Sequence, residues 1–550
     1  MKKINLAIAM MALCAPLSAQ NINQSVQVTN DYVTRFSDFQ KQGPVLGVPD
    51  SLYRFDYNFD YSVFETPYKG SYEFSPYQIS VKPEARLYDG SKLFVRAGAG
   101  FTFHPQFELA WQMLQEQDFS IGVFAEAGGY AGNYRRRGVE GTFPGRDLSG
   151  RVSVGGQYLR PAVRLSYNFG YEAIFAKEGG ADPTPFNSKF HSFVAAGRIQ
   201  SQERPGNRMF YDIYAQFRHS TERGVTGALG NRLTGENDLR ISLSGGPVLA
   251  DKYGILLDAF FEMDSMRGGE ISGFDEIYGE LFGGTRVATL ASLKPHLDFL
   301  LGPVHLDAGV RIDYSQLASG KQFSLAPDVL ARMAVESANL ELYAGVSGGQ
   351  AVQSHYDIKQ INHFAFMTGS SATVSRENLR IRAGVQGHVG SRMQYEVEAG
   401  YVSYLNMPLA SLYGVLPMDY KSVYGQGIFS WRDERLELDG TLSYSYMKLY
   451  GSSDAFAPPA FTADVRGRYN WEKRIWAGAF VEAASARMSL AGDGVWIPWY
   501  ANIGLTGEYR IDSRWTAWGE IGNLAAMAIE RVPGFIEKSP YLTVGLTFKL

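Results

Sequence analysis

Hydrophobic and polar residues alternate along this chain with a period of two. In "ENLRIRAGVQGHV" Leu379, Ile381, Ala383, Val385 and Val389 share one side, opposite Arg380, Arg382, Gln386 and His388. After Gly390-Ser391-Arg392, "MQYEVEAGY" resumes with Met393, Tyr395, Val397, Ala399 and Tyr401 facing away from Gln394, Glu396 and Glu398. Alternation over ten or more residues on both sides of a tight turn predicts a hairpin of long strands. Such runs recur from 92–103, 106–115 and 119–130 through to 500–511, 514–526 and 540–550, 22 in all. Two more, "YRFDYNFDYSVF" at 53–64 and "YQISVKPEARLY" at 77–88, would raise the count to 24 if both belong to the same wall. The reading adopted is 22.

The connections sort by parity. Short turns such as "RDER" (432–435), "ESAN" (336–339) and "DSR" (512–514) take turns with longer stretches at 131–149, 177–188, 220–237, 264–285, 351–377 and 406–418. A soluble sandwich has no reason to do this, and its strands are typically about 5–6 residues long. Runs of ten to fourteen residues match the roughly 9–11 tilted residues that cross a bilayer, and no stretch past the N-terminus approaches the roughly 20 apolar residues of a spanning helix. One face of each strand would meet lipid and the other a wet lumen, where Arg, Asp and Glu cost little. The predicted fold is all-β: a transmembrane antiparallel barrel with short periplasmic turns and long extracellular loops.

Composition agrees: 14% aromatic residues and 60 glycines against 23 prolines fit neither a helical membrane protein nor a disordered chain. The N-terminus "MKKINLAIAMMALCAPLSAQ" has a basic start, an apolar stretch and small residues before Gln20, which predicts a signal peptide over 1–19. Its removal takes the only cysteine, Cys14, and leaves 50 basic residues against 56 acidic ones. A mature chain without thiols and without basic excess excludes disulfide scaffolding and gives no reason to expect nucleic acid. The predicted organisation is therefore signal peptide 1–19, an N-terminal periplasmic or lumenal segment 20–91, and a barrel over 92–550.

The C-terminus "SPYLTVGLTFKL" alternates to the last residue. It resembles the final strand of bacterial outer-membrane proteins, whose pattern of polar residue, Gly, aromatic residue and terminal apolar residue is read by the barrel-assembly machinery. The matching positions are Thr543, Gly545, Phe548 and Leu550. In strand number, glycine and aromatic content and long outer loops, 92–550 also resembles the barrel part of TonB-dependent receptors of Bacteroidetes-type Gram-negative bacteria. That resemblance implies outer-membrane location and transport. It departs from the family in that residues 20–91 are too few for the globular plug of those receptors.

Catalytic chemistry finds no support: the histidines are scattered, and no metal or nucleophile motif is present. His355, Asp357 and His363 share one loop but lack a specific ligand spacing, and His191 and Ser192 fall on opposite faces of a strand. No enzyme activity, cofactor or metal is expected. Candidate contact residues are Arg135, Arg136 and Arg137, placed outside the cell as a solvated basic loop or to meet lipopolysaccharide or capsule phosphates, and Trp496 and Trp499 with Tyr500, as a sugar-stacking surface or part of the aromatic girdle. The candidate lumen charges are Arg380 and Arg382 beside Glu396 and Glu398, Arg164 near Arg151, and Arg510 near Glu520. Two functions fit: passage of small polar solutes, served by a surface lipoprotein, or a closed barrel acting as assembly partner through residues 20–76.

Overall fold

The computed structural model describes residues from 92 onward, apart from 117, 137–139, 179–186, 203–208, 227–229, 250–252, 269–283, 318–319, 366–372, 412–413, 452–454, 491–494 and 538–539. The signal peptide and the runs 53–64 and 77–88 lie outside the described residues. In chain order the strands are β1 Leu93–Phe101, β2 Gln106–Gln115, β3 Phe119–Arg136, β4 Phe143–Arg160, β5 Val163–Glu178, β6 Asn187–Ser201, β7 Met209–Thr226, β8 Gly230–Leu249, β9 Tyr253–Gly268, β10 Gly284–Leu301, β11 Val304–Leu317 and β12 Gly320–Val335. They continue with β13 Leu340–Gln353, β14 Thr373–Val389, β15 Met393–Ala410, β16 Val415–Arg432, β17 Leu436–Tyr450, β18 Phe461–Trp471, β19 Ile475–Ala484, β20 Arg487–Met488, β21 Trp496–Ile497, β22 Tyr500–Arg510, β23 Trp515–Gly522, β24 Phe535–Glu537 and β25 Tyr541–Lys549. One short helix, α1, covers His355–Ile361.

Twenty-two of the strands form one antiparallel ring in which each pairs with its neighbours in sequence; β20 and β21 pair with each other, and β24 lies outside the ring. The ring closes where β1 pairs with β25, from Phe94↔Lys549 to Phe101↔Leu542. Both edges of β1 are therefore taken, by β2 and β25, so the wall has 22 strands and not 24. Closure is required, because an open row of N–H and C=O groups finds no partner in hydrocarbon.

Side chains follow the expected alternation. On β9 Ile255, Leu257, Phe261 and Met263 face outward and exposed, while Glu262 and Asp264 are buried inward. Several strands run farther outward than the hydrophobic pattern predicted. Much of the expected loop 220–237 is strand instead, because β7 and β8 stay paired from Thr221↔Gly235 to Thr226↔Gly230. The outward positions there, His219, Thr221 and Arg223, are polar. Alternation of hydrophobicity stops at the membrane edge, whereas the backbone ladder does not.

The rim is low at β23, β25, β1 and β2 and higher at β3. That height difference would leave the outer end of β3 unpaired, since β2 ends against Gly128. Instead β24 pairs there, Phe535↔Arg136 to Glu537↔Tyr134, and covers the edge.

The seam depends on two glycines. Gly98 and Gly545 face each other across β1 and β25, and the indole of Trp518 lies over both. A Cβ at Gly98 would come within 2.4 Å of Trp518, and Arg96 stacks on the same indole at 3.9 Å. Gly98→Val is expected to destabilise the closed ring by about 1–3 kcal/mol through overpacking, reducing the heat-modifiable folded band on SDS gels. Gly427→Val is the control, because a Cβ there meets nothing within 4 Å; equal behaviour of the two variants would remove the seam from the account.

Candidate functional site: the outer mouth of the lumen

The loop after β13 folds into the barrel. Ser354 caps α1: its hydroxyl accepts from the Asp357 N–H at 3.2 Å, and the Asp357 carboxylate accepts from the Ser354 N–H at 3.2 Å. This reciprocal cap lets a seven-residue helix persist without neighbouring helices.

Polar groups on the inner wall then hold α1. Glu236 of β8 accepts from the His355 and Tyr356 N–H groups at 2.5 and 3.2 Å. Glu222 of β7 accepts from His355 Nε2 at 2.8 Å and pairs with Lys359 Nζ at 2.5 Å; Lys359 also donates to Ser188 at 3.0 Å. Glu172 of β5 accepts from Tyr356 at 2.8 Å and Gln360 at 2.9 Å, and Arg218 lies over the Tyr356 ring at 3.6 Å. Arg240 joins Glu262 at 2.9 Å, Asp238 at 3.0 Å and Asp357 at 3.2 Å.

The segment continues across the mouth. Asn362 donates to the carbonyls of Ser411 and Gly414 beyond β15, and His363 Nδ1 meets Asp147 of β4 at 2.6 Å. Phe364 stacks on Phe535 at 3.9 Å, with Tyr134 edge-on to both. A second inward segment supplies Phe535 and is fixed by Arg531, which reaches Glu482 at 2.9 Å and Glu537 at 2.8 Å. Residues 354–365 thus form a lid tied to strands on several sides of the ring.

Burial shapes the titration of the lid. It pushes the His355 imidazole down despite Glu222, and the Lys359 amine down against the same carboxylate. His363 is half-buried, and the charge and hydrogen bond of Asp147 outweigh its desolvation and carry it up. His355, Asp357 and His363 go to Glu222, Arg240 and Asp147 respectively, and do not converge.

The sequence candidates scatter. Arg135 and Arg136 sit on the outer end of β3 beside β24, Arg135 exposed; Arg137 lies outside the described residues. Trp496 and Trp499 are exposed, but Tyr500 turns inward to donate to Glu482 at 3.1 Å, so the three do not form one surface. Among the lumen charges, Arg382 meets Glu398 at 3.6 Å, whereas Arg380 pairs with Glu377 at 2.8 Å instead of with Glu396 or Glu398. Its register explains this, since Arg380 faces Val402, two steps beyond Gly400. Glu396 and Glu398 both accept from Tyr343 at 3.0 Å. Arg151 pairs with Glu126 at 2.6 Å while Arg164 faces Gln200, and Arg510 lies over Trp476 rather than on Glu520. At the C-terminus Thr543 is buried in the lumen, Phe548 packs on Trp515 at 4.8 Å, and Leu550 is exposed with its backbone bonded to Leu93.

Sequence reasoning missed Glu172, Glu222, Glu236 and Lys359 as a group. Parity alone places the acids of β7–β9 inward, and Ser354-x-x-Asp357 is a readable cap; nothing in the pattern says which loop turns inward. Glu222→Gln leaves Lys359 without its buried counter-charge, a loss of about 3–5 kcal/mol for a broken buried pair. Hydrogen exchange at 355–362 is expected to accelerate strongly while β7 and β8 stay protected; unchanged exchange would show the pair does not hold the lid.

No family model matches the sequence, and no curated protein matches it. Solved structures do. The ferric-catecholate import receptor Fiu from K12 E. coli aligns with a TM-score of 0.60 at 9% identity, over 84% of this chain and 82% of its own. The copper transporter OprC aligns at 0.60 and 13%, over 84% and 80%. The FrpB iron transporter from Neisseria meningitidis aligns at 0.63 and 10%, over 83% and 82%. At these identities the likeness establishes the fold: a closed 22-stranded antiparallel β-barrel similar to those of these import receptors and transporters.

Proposed function

We propose that this chain is an outer-membrane barrel for the passage of small polar solutes, closed on the outside by the 354–365 lid. The observation that carries the reading is how the lid is held. Its helix is fastened by carboxylates, amines and backbone N–H groups rather than by a continuous apolar core. Water can replace such contacts at little net cost, because buried ion pairs roughly balance attraction against desolvation. A helix so fastened can leave and return more readily than an apolar stopper, with the Phe364–Phe535 stack an apolar tie at the end of the lid. Similarity to structures described as import receptors and transporters supports the reading at the level of architecture.

Within it, residues 20–91 serve as a small periplasmic or lumenal element, with 20–76 available to a periplasmic partner. Arg135, Arg136 and Arg137 are contacts for lipopolysaccharide or capsule phosphates, Trp496 and Trp499 for sugar rings or the aromatic girdle, and Thr543, Gly545, Phe548 and Leu550 are the assembly signal. No catalytic residue is proposed.

Single-channel recording in a planar bilayer tests the reading. The intact protein is expected to show small or rare steps, and removal of 354–365 to give large, frequent ones. Silence of the lid-deleted barrel, also after deletion of 20–76, would overturn passage and favour a closed barrel acting through partners.

A further inference from the structure

Beneath α1 the described wall residues include more acids than the cations paired with them. Glu236, Asp238, Glu262 and Asp264 point inward from β8 and β9, with Asp357 of α1 above them. Arg240 is committed to Glu262, Asp238 and Asp357, and Arg218 stands 3.9 Å from Asp238. Glu236 is met by the two helix N–H groups.

Asp264 has none of these. It is fully buried, and among the described residues neither of its carboxyl oxygens has a hydrogen-bond partner. Across the ladder it faces Asp238 directly, so two acids share one step of the same inner face. Glu262 shares its strand, and Glu236 lies diagonally beyond Asp238. On its other side β10 presents Ala288 and Leu290, buried and apolar, with Arg286 one step farther out opposite Met266.

A buried carboxylate without a counter-ion is far costlier than a neutral carboxyl, and facing acids do not both ionise. Three or more oxygen-donor groups would be needed to cage a hard metal ion. Among the described residues no three His, Cys, Asp or Glu side chains converge on such a point. A proton requires only one oxygen.

We infer that Asp264, facing Asp238 under the lid, is a proton-binding site that is filled when the lid is closed and loses its proton to water when the lid lifts. The sign follows from linkage. With the lid open, Asp264 is an ordinary solvated carboxyl; with it closed, the proton is retained. The closed state is therefore favoured at low pH and weakened as pH rises through the closed-state titration. His363, raised by Asp147, acts in the same direction, while His355, lowered by burial, acts against both. The contribution of Asp264 is the part abolished by Asp264→Asn, which keeps the shape of the protonated acid.

The inference rests on 354–365 acting as a lid, and its test does not require the barrel to conduct. Infrared difference spectra of the full-length protein in detergent, wild type minus D264N, are expected to show the carbonyl stretch of one protonated carboxyl at neutral pH, shifting in heavy water. Hydrogen exchange at 355–362, corrected for the intrinsic pH effect, is expected to rise with pH in the wild type and much less in D264N. Absence of the carboxyl band overturns the site, and a metal ion retained in the wild type but not in D264N would overturn it in favour of a cation. A band present in the wild type with the same pH response in both proteins would overturn the coupling to the lid.

Discussion

Everything in this molecule depends on the ladder closing between Leu93–Phe101 and Tyr541–Lys549. In hydrocarbon an unpaired backbone group costs several kcal/mol, so a 22-stranded wall one pairing short would not be a weaker barrel but an insoluble sheet. This explains why the seam is the place where the chain gives up side chains for backbone approach. Gly98 and Gly545 lie flat beneath Trp518, and Leu550 and Leu93 exchange backbone hydrogen bonds at the chain's last residue. Once the ring is shut, its diameter follows from strand number, and a ring this large encloses more space than wall side chains can fill. What occupies the mouth is then a separate problem, solved here by loops.

The lumen and the exterior solve opposite problems with the same strands. Outward positions such as Leu257, Phe261 and Met263 need only be apolar, and they specify little beyond depth. Inward positions specify partners. Charges there are arranged in short cross-strand sets, such as Arg96 with Glu508, Arg198 with Asp212, and Lys294 with Asp258, Asp307 and Asp328. Sets such as these, away from α1, are self-contained. At the level of α1 they are not: Glu172, Glu222 and Glu236 find their donors on the lid. The lid is thus the missing half of an inner-wall network rather than an addition to a finished one.

That distinction explains what could be read from the chain. The period-two pattern marked all 22 wall strands, because each bilayer-crossing segment must carry it, and it placed the inward face of β7–β9 by parity. It understated strand length at β7 and β8, where the outward face turns polar at His219 and Asn237 while pairing continues. The pairing of charges was less legible. Proximity in register suggested Arg380 with Glu396 or Glu398, but side-chain reach and a register shift between Glu377 and Leu379 gave it Glu377. The lid was the least legible feature, because its contacts join residues 354–365 to partners as distant as Asp147 and Phe535. The alternation predicts a loop over 351–377, although Ser354-x-x-Asp357 is a local cap pattern for the helix that forms there.

The polar character of the lid also bears on how such a barrel can open at all. A helix bound through apolar packing is lost in proportion to the area exposed, at about 25 cal/mol per Å², with no return from water. A helix bound through Glu222, Glu236 and Glu172 would expose on opening acids, an amine and N–H groups that water solvates well, which lowers the cost of the proposed opening. The cost of this arrangement falls on groups that lack a partner when the lid is shut, and Asp264 is that group. A polar latch and an orphaned buried acid are therefore two consequences of the same choice. The wall can release its lid because it never fully neutralises the surface the lid covers.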